Sequence, residues 1–274
     1  MKKIGMSTSN LAITANLKES IEFAQRHSFN CLEIWADFPH AYPDYTKKNE
    51  RKTIKKMANN NGMDVAVHSP MFNINIASLN PGIRAESIRQ VKSSIDLAAD
   101  LEAKIVVLHP GTTPFPLPAV KKAAQELNLE AMNACLTLAK KRGVELALEN
   151  IGLSEKNLDS SLNEFCLLVE TLGVGVAFDL AHAYLSWGIP ATLERLKEKI
   201  IHVHINDAKE GKDSHLPVGL GEIDYSIVKD FLSQFEGMMI IEVFYPQDLE
   251  GGILRSREKL LEVLNRNPER EDGS

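Results

Sequence analysis

The chain has 274 residues, of which 44% are hydrophobic and 25% are charged. This composition is typical of a soluble globular protein, and it excludes extensive disorder, a collagen-like repeat and a disulfide-rich scaffold. The formal net charge is -6 at pH 7. The chain therefore has no overall excess of positive charge that would indicate nucleic acid or an anionic membrane as a partner.

The three cysteines, Cys31, Cys135 and Cys166, lie in strand-like or helix-like segments without metal-finger spacing. That pattern is typical of reduced, buried thiols in a cytoplasm. No apolar run is long enough to span a bilayer, and the first ten residues lack the hydrophobic core of a signal peptide. We therefore expect a cytoplasmic protein with no membrane partner, and the sequence leaves its oligomeric state open.

Eight short apolar, β-branched runs recur along the chain and are typical of buried parallel strands. They span 4–8, 31–36, 64–69, 104–110, 144–150, 174–180, 200–207 and 238–244. The segments between them have helical periodicity and are predicted as helices. These span 17–28, 49–60, 83–103, 117–142, 160–172, 191–199, 224–236 and 253–265. Glycines are expected at several helix C-termini, namely Gly62, Gly143, Gly173 and Gly237.

Eight strand–helix units with no change of composition predict an α/β fold, a single (β/α)8 TIM barrel over residues 1–266. An open doubly wound sheet is the alternative, but the turn after the first strand reads STSNLA and lacks a glycine-rich motif. Residues 267–274 are predicted to be a disordered tail. Loop 37–48 carries aromatic side chains that would either stack on a sugar or base or only anchor the loop. The sequence does not decide whether this loop closes over the site as a lid.

Acids and histidines cluster at the C-terminal ends of the predicted strands. In a barrel these ends meet at one mouth, where active sites are built. The candidates are His68, His109, Glu149, Asp179, His204 and Glu242, with His182, Asp213 and His215 in the adjoining loops. Each alone is explained as well by a helix cap or a local hydrogen bond. Together they predict a divalent metal centre, because four carboxylates at one desolvated rim would repel one another without cations.

The donor chemistry narrows the choice of metal. Carboxylates mixed with imidazoles suit Zn, Mn, Fe or Co better than Ca, and the candidate set has no thiolate of the kind found in structural zinc sites. His202 lies two residues before His204, so it faces the same side of the strand one layer deeper. There it would contact substrate or support the site, and we favour the supporting role. Glu33 and Trp35 are likewise two residues apart on the second predicted strand, so their side chains face the same side of it.

Seven motifs along the chain together resemble a known superfamily. They are HSPMFNINIAS (68–78), VVLHPG (106–111), LALEN (146–150), FDLAH (178–182), HVHIND (202–207), DSHLPVGLGEIDY (213–225) and IIEVF (240–244). In order, spacing and strand placement they are similar to the xylose-isomerase-like TIM barrels. That superfamily includes endonuclease IV, the ketose 3-epimerases and the inosose dehydratases.

The resemblance implies specific metal ligands. The site shared by the epimerases would consist of Glu149, Asp179, His204 and Glu242. Endonuclease IV holds two further metals, and its additional ligands would fall on His68 and His109, which share Glu149, and on His182, Asp213 and His215. All of these residues are present, so the resemblance allows one, two or three ions.

The loop after the seventh predicted strand favours the epimerase branch. Asp213 follows His204 by only nine residues, whereas endonuclease IV reaches its D-R-H motif after a longer loop. Residues 212–225 are more similar to a signature of sugar phosphate isomerases and epimerases. Glu155 stands where ketose epimerases place a substrate-binding glutamate. The arginine that they carry six residues after the metal histidine is Glu210 here, which leaves the sugar undefined.

The leading hypothesis is a divalent-metal-dependent isomerase or epimerase of a sugar, polyol or sugar phosphate. Glu149 and Glu242 would remove and return a proton, and the metal would stabilise the enediolate formed between these steps. Such chemistry calls for carboxylate pKa values raised by burial. His182, Glu155 and His202 would contact the substrate.

Two other classes of function remain in view. One is an endonuclease IV-like, zinc-dependent phosphodiester hydrolase acting at abasic sites in DNA, which explains the full ligand set better but the loop spacing worse. The other is a metal- or sugar-binding barrel without catalytic activity. Small-molecule substrate is the expected partner under the leading hypothesis, and DNA only under the hydrolase alternative.

Overall fold

The apolar runs form short strands that pair in parallel around a closed barrel. The computed structural model describes residues 2–265. The strands are β1 (Lys3–Ser7), β2 (Cys31–Trp35), β3 (Asp64–His68), β4 (Ile105–Leu108), β5 (Glu145–Glu149), β6 (Gly175–Asp179), β7 (Ile200–Ile205), β8 (Asp207–Lys209), β9 (Lys212–Leu216) and β10 (Met238–Ile241). The order around the barrel is β1-β10-β7-β6-β5-β4-β3-β2. The predicted single (β/α)8 TIM barrel is therefore confirmed.

Helices connect the strands along the outside of the barrel. They are α1 (Leu17–Arg26), α2 (Lys48–Asn60), α3 (Pro81–Leu101), α4 (Pro118–Arg142), α5 (Leu162–Leu172), α6 (Leu180–Leu185), α7 (Ile189–Leu196), α8 (Lys229–Gln234) and α9 (Leu249–Asn265). Gly143 and Gly173 end α4 and α5 in the left-handed conformation, with φ of 71° and 61°. The prediction of glycine helix ends is confirmed at these two positions.

Three local features differ from the sequence prediction. Helix α6 follows β6 directly, because the Asp179 carboxylate accepts from the His182 backbone N–H and caps the turn. β8 and β9 form an antiparallel hairpin where only a loop was expected. The expected helix 224–236 is a 3-10 turn (Tyr225–Val228) followed by α8. Helix α8 ends at Gln234, so the prediction that Gly237 ends a helix is wrong. Glycine is needed at 237 for a different reason, because a Cβ there would collide with the Ile201 carbonyl and the Phe235 ring.

The three cysteines are buried and free, as expected. Within residues 2–265, no helix combines the length and apolarity needed to cross a membrane. The predicted tail, 267–274, lies outside the described residues.

Asn10 joins the two ends of the barrel sequence. Its side-chain Nδ2 donates to the Ile241 carbonyl over 2.9 Å, and its Oδ1 accepts from the Val243 backbone N–H over 3.0 Å. The side chain is buried, so replacing it would leave a carbonyl and an N–H without partners away from water.

We expect Asn10→Ala to lower the free energy of unfolding by about 2–4 kcal/mol, because each unpaired buried polar group costs about 1–3 kcal/mol. Urea unfolding followed by circular dichroism measures the change. Asn133→Ala is the matched control, because Asn133 is exposed on α4 and bonds only within its own helix. Equal midpoints for the two variants would contradict the role of Asn10.

Candidate metal centre

Four side chains from neighbouring strands converge at the barrel mouth. Glu149 ends β5, Asp179 ends β6, His204 lies near the end of β7, and Glu242 directly follows β10. Each offers one ligand atom, and the four atoms lie within 4.8 Å of one another. His204 Nδ1 lies 3.3 Å from Glu149 Oε1 and 3.1 Å from Glu242 Oε2. Three carboxylates therefore face one imidazole nitrogen in what we call the central cluster.

A second cluster shares Glu149 with the first. His68 Nε2 and His109 Nε2 lie 3.1 and 2.9 Å from Glu149 Oε2. On its other side, Glu149 Oε1 lies 3.3 Å from both His182 Nδ1 and His204 Nδ1. The two oxygens of this single carboxylate thus face four histidines, an arrangement suited to bridging two cations.

The β8–β9 hairpin brings the third group of candidates to the mouth. Asp213 and His215 lie on β9, which positions them beside His182 of α6. Asp213 Oδ2 is 3.4 Å from His182 Nε2, and Asp213 Oδ1 is 3.3 Å from His215 Nε2. Ligand atoms of Asp179, His182 and His215 also lie within 4.8 Å of one another. The structure therefore brings all nine predicted ligands to one mouth.

Two asparagines at strand ends hold Asp179 in place. Asn150 Oδ1 accepts from the Asp179 backbone N–H over 2.8 Å, and Asn150 Nδ2 donates to the Asp179 carbonyl over 3.1 Å. Asn206 Nδ2 donates to Asp179 Oδ2 over 2.6 Å, and its Oδ1 accepts from the Ala181 backbone N–H. One carboxylate oxygen of Asp179 is thereby oriented before any cation binds, an outer layer of support that metal sites commonly need.

Glu33 is a functional candidate to which the sequence analysis gave no role. It is fully buried on β2, and its Oε2 lies 2.9 Å from His202 Nε2 and 3.2 Å from His204 Nε2. A carboxylate accepts hydrogen bonds, so Glu33 favours the protonated form of His204 Nε2 and leaves Nδ1 to face the central cluster. The strand pattern that places Glu33 and Trp35 on one face indicated that Glu33 points into the barrel. Only the fold shows that its partners are His202 and His204.

The three predicted substrate contacts differ in position. His202 is fully buried with its ring against Glu33, which places it beneath His204 and favours the supporting role. Glu155 is exposed on the loop after β5. His182 lies inside the mouth as a member of the third group, with its Nδ1 3.3 Å from Glu149 Oε1.

Burial and charge compete at every group in the mouth. Burial disfavours a charge on His68, but the hydrogen bond to Glu149 and the charge of Glu33 outweigh it and raise the His68 pKa to about 9. The His215 pKa is also raised to about 9 despite burial, mainly by its bond to Asp213. Burial alone would raise the Glu149 pKa, which is the direction expected for a general base. The charges of nearby histidines outweigh burial and hold the Glu149 pKa well below its usual range, so the expected rise is absent.

The donor set fits divalent cations. Imidazole nitrogens face buried carboxylate oxygens throughout the mouth, so each pair needs either a proton or a cation between its lone pairs. His182 Nδ1, which lies 3.3 Å from Glu149 Oε1, belongs to one such pair. Nitrogen and carboxylate donors in these proportions suit Zn, Mn, Fe or Co. The central cluster supplies four such donors, and the flanking clusters supply at least three each.

We expect Glu33→Gln to weaken metal affinity by about 10- to 100-fold, the usual effect of removing a carboxylate that orients a histidine ligand. Competition with a chromophoric zinc chelator measures the dissociation constant directly. Glu145→Gln is the matched control, because Glu145 is exposed at the opposite end of β5. Equal zinc affinities in wild type and Glu33→Gln would show that Glu33 does not orient His204.

We expect the metal-free protein to lose stability as the pH rises from about 6.5 to about 9. His68 and His215 have folded-state pKa values raised to about 9, above the ordinary value of 6.5. Their stabilising contribution is therefore complete below pH 6.5 and disappears as the pH passes through 9. Urea unfolding in the presence of a chelator tests this. Saturating zinc should reverse the trend, because metal binding displaces the histidine protons. Equal stability of the metal-free protein at both limits would contradict these proton sites.

Curated proteins of known sequence resemble this chain at low identity. An uncharacterized protein of Methanocaldococcus jannaschii is 26% identical over 274 residues, covering 96% of this chain and 89% of that protein. Fructoselysine 3-epimerase of Shigella flexneri is 23% identical over 239 residues, covering 83% and 85%. A probable endonuclease 4 of Mycobacterium leprae is 25% identical over 222 residues, covering 75% and 81%.

Solved structures share the fold over nearly the whole chain. A D-tagatose 3-epimerase-like protein superposes with a TM-score of 0.83 at 25% identity, covering 96% of this chain and 98% of that one. The IolI protein, solved with a zinc atom, gives a TM-score of 0.81 at 20% identity with the same coverage. The model of the xylose isomerase-like TIM barrel family matches residues 21–263. This chain therefore belongs to the xylose isomerase-like TIM barrel family.

Proposed function

We propose that this protein is a divalent-metal-dependent isomerase or epimerase of a small sugar, polyol or sugar phosphate. The observation that carries the proposal is the convergence of Glu149 and Glu242 on the central cluster. Both carboxylates lie beside the same His204 nitrogen at 3.3 and 3.1 Å. They come from β5 and from the end of β10, with β6 and β7 between them. A substrate bound over Asp179 and His204 would thus have one glutamate on each side.

Each glutamate has a distinct part in this proposal. One removes a proton from the carbon next to a carbonyl group, and the other returns a proton to the opposite face or to the adjacent carbon. A divalent cation at the central cluster, of Zn, Mn, Co or Fe, would supply Lewis-acid stabilisation of the negative charge that develops on neighbouring oxygens. The depressed pKa of Glu149 keeps its carboxylate ionised at neutral pH in the metal-free protein, and it also makes this carboxylate a weaker base than a raised pKa would. His182 and Glu155 remain candidates for contact with the substrate, whereas His202 is buried beneath His204 and supports the site.

Similarity to named epimerases supports the same reaction class. The chain is similar in sequence to fructoselysine 3-epimerase and in structure to a D-tagatose 3-epimerase-like protein. From these relatives we infer that the substrate is a small sugar, but we do not infer which sugar it is.

The second candidate is a phosphodiester hydrolase of the endonuclease 4 type, acting at abasic sites in DNA. Two observations favour it, namely the complete second and third clusters and the similarity to a probable endonuclease 4. Charge at the mouth ranks it lower, because DNA binding depends on lysines and arginines that contact phosphates. The rim loops carry four lysines, Lys47, Lys156, Lys209 and Lys212, and no arginine. These loops are 8–16, 36–47, 69–80, 109–117, 150–161, 180–188, 206–224 and 242–248.

We expect the zinc- or manganese-loaded protein to exchange a carbon-bound proton of a ketose with solvent deuterium. Glu149→Gln and Glu242→Gln should each reduce the exchange by about 10²- to 10⁴-fold, the usual contribution of a general acid or base. Proton NMR on a panel of ketoses and their phosphate esters in D2O measures it, and Glu145→Gln is again the control.

The same preparation should leave a duplex with one abasic site intact. Cleavage of that duplex, if lost in His109→Ala and His215→Ala, would replace the isomerase proposal with the hydrolase. Binding of a sugar without exchange or conversion would instead support a non-catalytic barrel.

A further inference from the structure

Two buried polar atoms beside the mouth have no partner among the described residues. They are Trp35 Nε1 and His40 Nδ1. Both side chains are only 7% exposed. A buried donor or acceptor without a partner costs about 1–3 kcal/mol, so such atoms are rare unless something else binds them.

Strand geometry directs the Trp35 side chain into the mouth. Glu33 points into the barrel, where it contacts His202, and side chains two residues apart on a strand face the same side. Trp35 ends β2, and its Cα is paired with that of His68, a residue of the second cluster. The indole is therefore directed toward the inside of the barrel on the β2–β3 side, next to the strand end that carries His68.

His40 supplies an acceptor beside this donor. Its Nε2 lies 2.9 Å from the Ala15 carbonyl, which can only accept, so Nε2 carries the proton and Nδ1 is a bare acceptor. Burial lowers the His40 pKa, which keeps the ring neutral near pH 7. The rings of Trp35 and His40 meet edge to face with centroids 6.3 Å apart. An indole N–H next to a bare imidazole nitrogen matches a hydroxyl group, which accepts from the first and donates to the second.

The surrounding loops hold this pair firmly. The Asp37 carboxylate accepts from the backbone N–H groups of Phe38, Met71 and Phe72 at 2.9, 3.2 and 3.2 Å, which ties the loop after β2 to the loop after β3. Phe72 packs edge to face on Trp35 with centroids 5.4 Å apart. A binding position built from tethered loops loses little entropy when a ligand binds.

The opposite side of the mouth lacks a free position for a phosphate group. TIM barrels often bind phosphate at the loops after the last two barrel strands. Here the buried Asp207 carboxylate accepts from the backbone N–H groups of Ala208, Gly219 and Ile223 at 2.9, 2.9 and 3.0 Å. Gly221 permits this close approach, because a Cβ there would collide with Asp207. These three backbone N–H groups are therefore already occupied by an anion of the chain itself.

The helix after the last barrel strand is occupied in the same way. Asp248 precedes α9, and its Oδ1 accepts from the Gly251 N–H over 2.9 Å. This side chain takes up part of the positive end of the helix, which otherwise attracts anions. Nearby Glu210 and Glu222 add negative charge, and Glu222 accepts from the Glu210 backbone N–H.

We propose that the substrate is a neutral polyhydroxylated compound without a phosphate group, and that Trp35 Nε1 and His40 Nδ1 bind one of its hydroxyl groups away from the reacting carbon. This assignment rests on the proposed function and narrows its substrate class. The Trp35–His40 pair confers specificity for a hydroxyl group, and the two aspartates exclude the phosphate ester.

Calorimetric titration of the metal-loaded protein with ketohexoses and their terminal phosphate esters tests both parts. Each free sugar that binds should bind at least tenfold more tightly than its ester. Trp35→Phe keeps an aromatic ring but removes the N–H together with part of the indole, so binding should weaken by about 5- to 20-fold, the value of one hydrogen bond. Trp187→Phe is the matched control, because Trp187 Nε1 is also buried without a partner but its indole packs on Gly152 and Phe165.

Deoxy sugars identify the hydroxyl group concerned. For one deoxy analogue, wild type and Trp35→Phe should bind with equal affinity, because the group that Trp35 contacts is then missing. Thermal unfolding should show that Trp35→Phe is still folded, with one cooperative transition above the assay temperature, which separates lost binding from lost folding.

Three outcomes would overturn this inference: tighter binding of the phosphate esters, unchanged affinity in Trp35→Phe, or no binding of any free ketohexose. Binding as expected without deuterium exchange would leave the hydroxyl position intact and remove the isomerase proposal. Deuterium exchange that proceeds only with phosphate esters would support the isomerase proposal and contradict the assignment of a substrate without a phosphate group.

Discussion

The Glu149 carboxylate is the interaction on which the mouth of this barrel depends. It is buried at the end of β5, and its two oxygens face His68 and His109 on one side and His182 and His204 on the other. A buried carboxylate is stable only when neighbouring positive charge or hydrogen bonds compensate for its lost hydration. His68, His182 and His204, whose pKa values are raised, provide that compensation in the metal-free protein, and divalent cations would provide it in a loaded protein. The same contacts form the candidate metal site.

Neutral and acidic side chains behind the ligands determine how the ligands point. Asn150 and Asn206 hold Asp179 through backbone and side-chain bonds, and Glu33 holds the far nitrogen of His204. Each of these residues links two strands, so closure of the barrel and orientation of the ligands are one event. Metal affinity and stability are therefore expected to change together when one of these supports is removed.

The charge around the mouth separates the functions that a shared fold allows. Ligand sets for one, two or three cations are all present, so ligand identity alone does not select between sugar isomerisation and phosphodiester hydrolysis. The rim loops, with few lysines and no arginine, disfavour a polyanionic substrate. Asp207 acts in the same direction, because it occupies backbone N–H groups of the loop after β7. The neutral sugar that we propose is consistent with both the clusters and the rim.

The sequence by itself determined the barrel and the set of converging residues. Apolar runs at regular intervals fix strand and helix order, and alternate residues at the C-terminal ends of barrel strands face the mouth, as Glu149 and Asp179 do. Only the tertiary structure decided the contacts between distant segments. The bond from Glu33 to His204 joins residues 171 positions apart, the β8–β9 hairpin carries Asp213 to His182, and no local pattern encodes either contact. The direction of each pKa shift likewise depends on charges brought together by folding, because electrostatic energy depends on distance in space and on burial.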